Sequence, residues 1–328
     1  MQQGLLCSLL LLSLALYSGI AGAVEMSVAE QQEVLHDKTL EHKVDQLYDY
    51  AIKDDIDALK FAFQRLALPQ QEAARYLLFK RLDKNNISLS APLYGFVQRQ
   101  NGLLPVYQIT VKGDGYEFSS PAFNYTAVGS RLMKRWKQDQ KVVDFVLKAE
   151  LHELKLKAWL SGPDKLTHEK LLIKELDHLS IPAIQSLVDQ LITVKVTSWL
   201  PSSAVMVRIA QVSHSPEVYK LLWLMRADGD IEGELDRLSK RNDHFAIKQM
   251  MLAAQNPRLK DEAIKDLARF NPMNDDVKAF LVNRLSDDDE VFKVAKTLVE
   301  QGHRSWLQEL LSSNRQVKAS VISQVLEQ

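Results

Sequence analysis

Apolar positions recur three to five residues apart along most of this chain, the spacing of helices that bury one face. Leu47, Ile52, Ile56, Leu59, Phe63 and Leu66 form one such stripe and predict helix up to Pro69, with Gln71–Leu82 as a partner closed by Asn85-Asn86. Proline and glycine fall mostly at the junctions, at Gly162-Pro163, Pro182, Pro201, Pro216, Pro257 and Pro272. There a missing N–H costs nothing in the first turn of a helix.

One stretch has a different period. Tyr107, Ile109 and Val111 alternate with Gln108, Thr110 and Lys112, as a half-buried strand requires. Asn101-Gly102 and Gly113-Asp114-Gly115 are tight-turn sequences on either side. The simplest expectation is a small antiparallel β-meander near residues 93–119, with strands at 93–99, 104–112 and 115–119. Pro105 cannot donate to a ladder and belongs at a strand start or an edge. Helix returns from Thr126 to about Leu160, and shorter helices are expected at 164–179, 182–195 and 201–212.

From Pro216 onward the helices come in pairs. Units open near Pro216, His244, Asp275 and Arg304, steps of 28, 31 and 29 residues. A period in this range marks an α-solenoid, whose helix pairs bury their apolar faces by stacking on neighbours. Asp289-Glu-Val291-Phe-Lys293-Val-Ala295-Lys-Thr-Leu298 sets an acid at a helix start and Val291, Ala295 and Leu298 on one face. Ala263, Leu267 and Phe270 repeat the spacing one unit earlier, and Ile231, Leu235 and Leu238 two units earlier. This D-x-V-x-K-x-A-x-x-L pattern resembles the second helix of a HEAT repeat. The resemblance spans residues 216–328, with units shorter than is usual for that family, and the last unit (Val317, Val321, Gln324) departs from it. It implies an interaction scaffold and carries over no catalytic residues.

The expected organisation is therefore mostly α. It comprises a leader at 1–23, an N-terminal helical region at 24–92, the β insert at 93–125, central helices at 126–215 and HEAT-like repeats at 216–328. The leader reading rests on the apolar run Leu5–Leu16 followed by Ala21-Gly22-Ala23, a cleavage signature for secretion. Its first residues, Met1-Gln2-Gln3, lack Lys and Arg, and Gly4–Val24 is uncharged throughout, so an uncleaved membrane anchor is the alternative. A lipoprotein reading fails because Cys7 precedes most of the apolar run. Cleavage near Ala23 would leave a periplasmic or secreted chain without cysteine, which excludes disulfides, thiolate metal sites and a cysteine nucleophile. No later stretch is long enough for a membrane span. The sequons at Asn86 and Asn124 matter only if the protein is secreted from a eukaryotic cell.

Charge is balanced, 41 basic residues against 42 acidic, which argues against nucleic acid as a partner. The segment Arg131–Lys157 is locally basic, with eight Lys and Arg against four Asp and Glu. Seven of the chain's 25 aromatics lie between Tyr94 and Tyr125. Tyr94, Tyr107, Tyr116 and Phe118, with Arg131, Arg135 and Trp136, are the candidate binding residues. Some would line a sheet face against helices, and others would form a partner patch beside an edge strand open to β-addition.

Catalytic and metal signatures are sparse. Glu33/His36 and Glu175/His178 have the i, i+3 spacing of helical metal ligands, and Glu150 and Glu169 are the carboxylates that would complete a set around His178. The H-E-x-x-H, G-x-S-x-G and S-x-x-K motifs are absent, and Gly113-Asp114-Gly115 reads as a turn. Asp287–Glu290 lacks the glycine and glutamate of a calcium loop and reads as the acidic start of a helix. The expectation is a protein- or peptide-binding scaffold of the cell envelope that uses no cofactor. The rival is an envelope enzyme, metal-dependent in one version, with a site between the β insert and the 126–179 helices.

Overall fold

The structure, a computed structural model, describes residues 23–113, 116–193 and 199–328. The leader reading and the centre of the Gly113–Gly115 turn lie outside those residues. The fold is mostly helical, with 18 helices among the described residues and one three-stranded sheet. No helix among them is long and apolar enough to cross a membrane. The chain divides into two compact units, at residues 1–141 and 142–328.

In the first unit β1 (Val24–Glu25) leads into α1 (Val28–Leu35), α2 (Lys38–Ile52), α3 (Ile56–Gln64), α4 (Leu68–Lys84) and α5 (Ala91–Asn101). Then come β2 (Tyr107–Gly113), β3 (Tyr116–Pro121) and the first part of α6 (Tyr125–Glu150). The starts are set locally. Ser27 and Glu30 cap α1 reciprocally, Asp37 caps α2, Asp55 caps α3, and α4 carries a proline in its first turn. Phe79, Phe96, Phe123 and Tyr125 are fully buried in the core of this unit. Each contributes roughly 2–3 kcal/mol by leaving water.

The β insert differs from the expected meander in two ways. Residues 93–99 belong to helix α5, because Ser90 accepts a hydrogen bond from the Leu93 N–H, Pro92 fits the first turn, and Leu93, Phe96 and Val97 bury one helical face. The third strand is instead β1, which pairs parallel with β2, so the sheet is mixed in the order β1-β2-β3. The alternation in β2 is real. Tyr107 and Ile109 pack against the core, while Thr110 donates to Glu25 and Gln108 accepts from Ser119 on the other face. Pro105 precedes β2, and Pro121 ends β3.

The second unit holds the rest of α6, then α7 (Leu156–Trp159), α8 (Lys165–Glu175), a 3₁₀ turn (Leu176–His178), α9 (Ile181–Ile192) and α10 (Ser203–Ser213). These are followed by α11 (Pro216–Leu224), α12 (Gly229–Ser239), α13 (His244–Ala253) and α14 (Lys260–Ala268). The last four are α15 (Asp275–Leu285), α16 (Val291–Glu300), α17 (Arg304–Ser313) and α18 (Ala319–Leu326). One continuous core runs from Phe145 to Val325. Helices touch the one two places ahead: α10, α12, α14, α16 and α18 make one row, and α9, α11, α13 and α15 another. Ile231, Leu235, Leu238, Ala263, Leu267, Val291, Ala295 and Leu298 are all buried between them.

Polar contacts also link one helix pair to the next. The Asn256 amide donates to the Trp223 and Met225 carbonyls at 2.9 and 3.0 Å, and Arg258 donates to the Ala227 carbonyl at 3.1 Å. Lys260 pairs with Glu290 and Lys318 with Asp288. The acidic run Asp287–Glu290 is thus engaged by cations of adjoining helices as well as opening α16.

Candidate functional site

The aromatic and basic candidates of the first unit do not converge on one patch. Tyr94 on α5 stacks on Trp136 of α6 with ring centroids 3.9 Å apart, and both rings are half-buried. Arg131 and Arg135, one turn apart on α6, both donate to the Asp83 carboxylate at the end of α4, and Arg135 also reaches the Ile87 carbonyl. These bases therefore tie α4 to α6. Tyr107 lies on the core face of the sheet, and Phe118 on β3 keeps 49% of its surface exposed. The side chain of Tyr116 is outside the described residues.

The metal alternative does not assemble around His178. Glu150 accepts from the Ser180 N–H and hydroxyl at 2.7 and 2.6 Å, bonds that hold its carboxyl below the usual range and fix the start of α9. Glu169 faces Lys165 at 3.8 Å. Glu175 and His178 do meet, at 3.0 Å, and Lys174 adjoins the same carboxylate, holding its pKa down. Among the described residues no group of three or more His, Cys, Asp or Glu is arranged to hold a metal ion.

Two buried polar clusters escaped sequence reasoning. In the first unit the Glu72 carboxylate accepts from the Val106 N–H at 2.7 Å, Arg75 donates to Gln100 at 2.6 Å, and the Tyr125 hydroxyl donates to the Leu103 carbonyl at 3.0 Å. Together they pin the segment that leads into β2. Burial pushes the Tyr125 phenol up to about 12, with Glu72 adding to it, and lowers the pKa of Arg75. In the second unit Glu234, its side chain 0% exposed, accepts from Gln211, Tyr219 and, bidentately, Arg237, all at 2.6–2.7 Å. Burial and that carboxylate raise the pKa of Tyr219, while hydrogen bonding to Glu234 raises that of Arg237. The shared signal was E-x-x-R on an apolar stripe, at Glu72/Arg75 and again at Glu234/Arg237. Both clusters hold a buried carboxylate whose bonds tie neighbouring segments together, so their role is positional.

Open concave surface occurs elsewhere. A groove of about 420 Å³ lies between α2 and α3. In the second unit, successive members of the even-numbered row enclose one of about 300 Å³ between α14 and α16, floored by Ile264 and Val294 and rimmed by Lys260, Asp261 and Lys293. Both volumes fall in or near the range of ligand pockets. The first has no carboxylate in its lining; in the second Asp261 pairs with Lys293 and Glu290 with Lys260. Comparison with protein-family models, with curated proteins and with solved structures finds no match.

Proposed function

We propose that this protein is an exported, HEAT-like α-solenoid that binds a protein or peptide partner along the even-numbered helix row of its second unit. The observation that carries the reading is that row. The helices α10, α12, α14, α16 and α18 follow one another in contact, the last four each with exposed residues, and a groove lies where α14 meets α16. Stacked pairs of this kind create extended surfaces suited to partners that make many shallow contacts. The one-unit spacing of the links at Asn256, Arg258, Lys260 and Lys318 supports the repeat reading. The apolar run Leu5–Leu16 followed by Ala21-Gly22-Ala23 supports a leader and export to the cell envelope, and cleavage near Ala23 would remove the single cysteine, Cys7.

Site-specific photo-crosslinking in intact cells tests it. A crosslinker at Glu232 on α12 or Lys296 on α16, both exposed on the row, should trap one defined partner. The same group at Lys248 on α13 or Lys278 on α15, in the other row, should not. Equal crosslinking from both rows, or none from either, refutes the proposal.

A further inference from the structure

The groove between α2 and α3 belongs to the first unit and is independent of the helix row. Its lining pairs early α2 with late α3: Lys43 lies across from Arg65, and Tyr50 from Ala58. Only residues 53–55 join the two helices, so they form a hairpin with Lys43 and Arg65 at its open end and Tyr50 toward its closed end. The floor is apolar, from Leu47, Ala62 and Leu66. Phe61 stands on the wall with 61% of its surface exposed, and the Arg65 guanidinium lies 5.5 Å from its ring centroid.

The charge of this groove is one-sided. It is lined by two cations and no carboxylate, in a chain whose acids and bases nearly balance. Among the described residues, Lys43 and Arg65 have no ion pair, whereas Lys60 on the other side of α3 pairs with Asp57. An aromatic anchor, a small apolar floor and cations gathered at one end match a ligand with an apolar side chain next to a carboxylate. The groove is open to solvent, and Phe61 and Gln46 on it are exposed. A hydrocarbon chain laid there would keep much of its surface in water, while a peptide backbone tolerates that exposure and can meet the exposed Gln46 amide.

We infer that the α2–α3 groove of the first unit is a docking site for a short acidic peptide segment, with an apolar or aromatic residue against Phe61 and Leu47 and flanking carboxylates at Lys43 and Arg65. The test is fluorescence anisotropy on the full chain. The probe is a capped peptide in which two glutamates flank a Phe-Leu pair, labelled with an uncharged dye through a Gly-Ser spacer. The glutamate peptide should bind about tenfold or more tightly than its lysine counterpart, and more weakly as salt is raised. Lys43→Glu and Arg65→Glu should each weaken it about five- to tenfold, and Phe61→Ala comparably. All three side chains are at least partly exposed, so the variants should keep the far-ultraviolet circular dichroism of the parent. The double reversal should transfer preference to the lysine peptide. Equal binding of the two peptides, indifference to the substitutions, or binding of laurate and phosphatidylglycerol vesicles in place of the peptide would overturn the assignment.

Discussion

Arg237→Ala isolates the contribution of the buried carboxylate in the second unit. In the native protein Glu234 receives four hydrogen bonds, two of them from the Arg237 guanidinium at 2.7 Å. Removing Arg237 leaves the charge with Gln211 and Tyr219 alone. Breaking a fully buried pair costs roughly 3–5 kcal/mol. Arg237 keeps 37% of its side chain exposed, so water can enter the space it leaves. That lowers the expected cost to about 2–3 kcal/mol. Tyr219→Phe removes one neutral donor and should cost about 1–2 kcal/mol. Because both groups donate to one carboxylate, the double variant should depart from additivity by at least about 0.5 kcal/mol. Urea unfolding followed by tryptophan fluorescence is the assay, since Trp159, Trp199, Trp223 and Trp306 lie in the second unit and Trp136 alone in the first. An Arg237→Ala midpoint equivalent to less than about 0.5 kcal/mol of change would show that the guanidinium does not hold the carboxylate.

Other consequences can be checked with the same preparations. Burial holds the Asp266 carboxyl above its usual range, a shift that Arg269 opposes. The folded state therefore keeps that proton more tightly than the unfolded chain. The stability from this group is full below about pH 4 and is lost as pH rises through the folded value. Asp266→Asn should accordingly gain on the parent as pH rises through the folded value of that carboxyl, and a parallel pH profile for the two would refute the cause. In alkaline spectrophotometric titration, Tyr125 and Tyr219 should ionise last, because both phenols are raised. Tyr125 opposes unfolding below about pH 10 and loses that effect toward its folded value of about 12, so Tyr125→Phe should flatten the alkaline fall in stability. Ordinary ionisation of all the tyrosines in one phase would contradict it. Gly129→Ala would set a methyl 2.9 Å from Asn101 Cγ and 3.0 Å from Phe79. It should lose about 1–2 kcal/mol despite the better helix former, and Asn101→Ala in the same chain should restore part of the loss in a thermal melt.

Helix content was legible because it follows from local spacing, and the helices at Pro216, His244, Asp275 and Arg304 begin at the positions read from the period. The strand alternation over Tyr107–Thr110 was legible for the same reason. Residues 93–99 were misread because Tyr94, Phe96 and Val97 look like strand residues, while the Ser90 cap and Pro92, which decide for helix, lie just upstream. Strand β1 could not be read at all. Two residues carry no period, and their partner lies more than eighty positions away. The α2–α3 groove was hidden likewise. Lys43 and Arg65 look like solvated helix charges until the hairpin brings them across from each other, and Phe61 reads as one more apolar position.

The buried acids of the second unit bear on how its helix pairs find their register. Glu234 and Arg237 stand three and six residues after Ile231, and Asp266 and Arg269 stand three and six after Ala263. In both helices the acid is buried and the arginine bonds it within one turn. One unit later the same offsets from Val291 hold Val294 and Thr297, and the polar pair is gone. An apolar interface tolerates small slips, whereas Glu234 loses its donors on neighbouring helices, Gln211 of α10 and Tyr219 of α11, when α12 shifts by a turn; the Asp266–Arg269 bond lies within one stretch of chain and moves with it. Glu234 therefore fixes the alignment of α12 against α10 and α11, and α16 relies on packing and on the ion pairs that Lys260 and Lys318 make with Glu290 and Asp288. Hydrogen exchange should accordingly find the amides of α12 protected longer than those of α16 and α18. Equal protection throughout would mean that the apolar core alone sets the register.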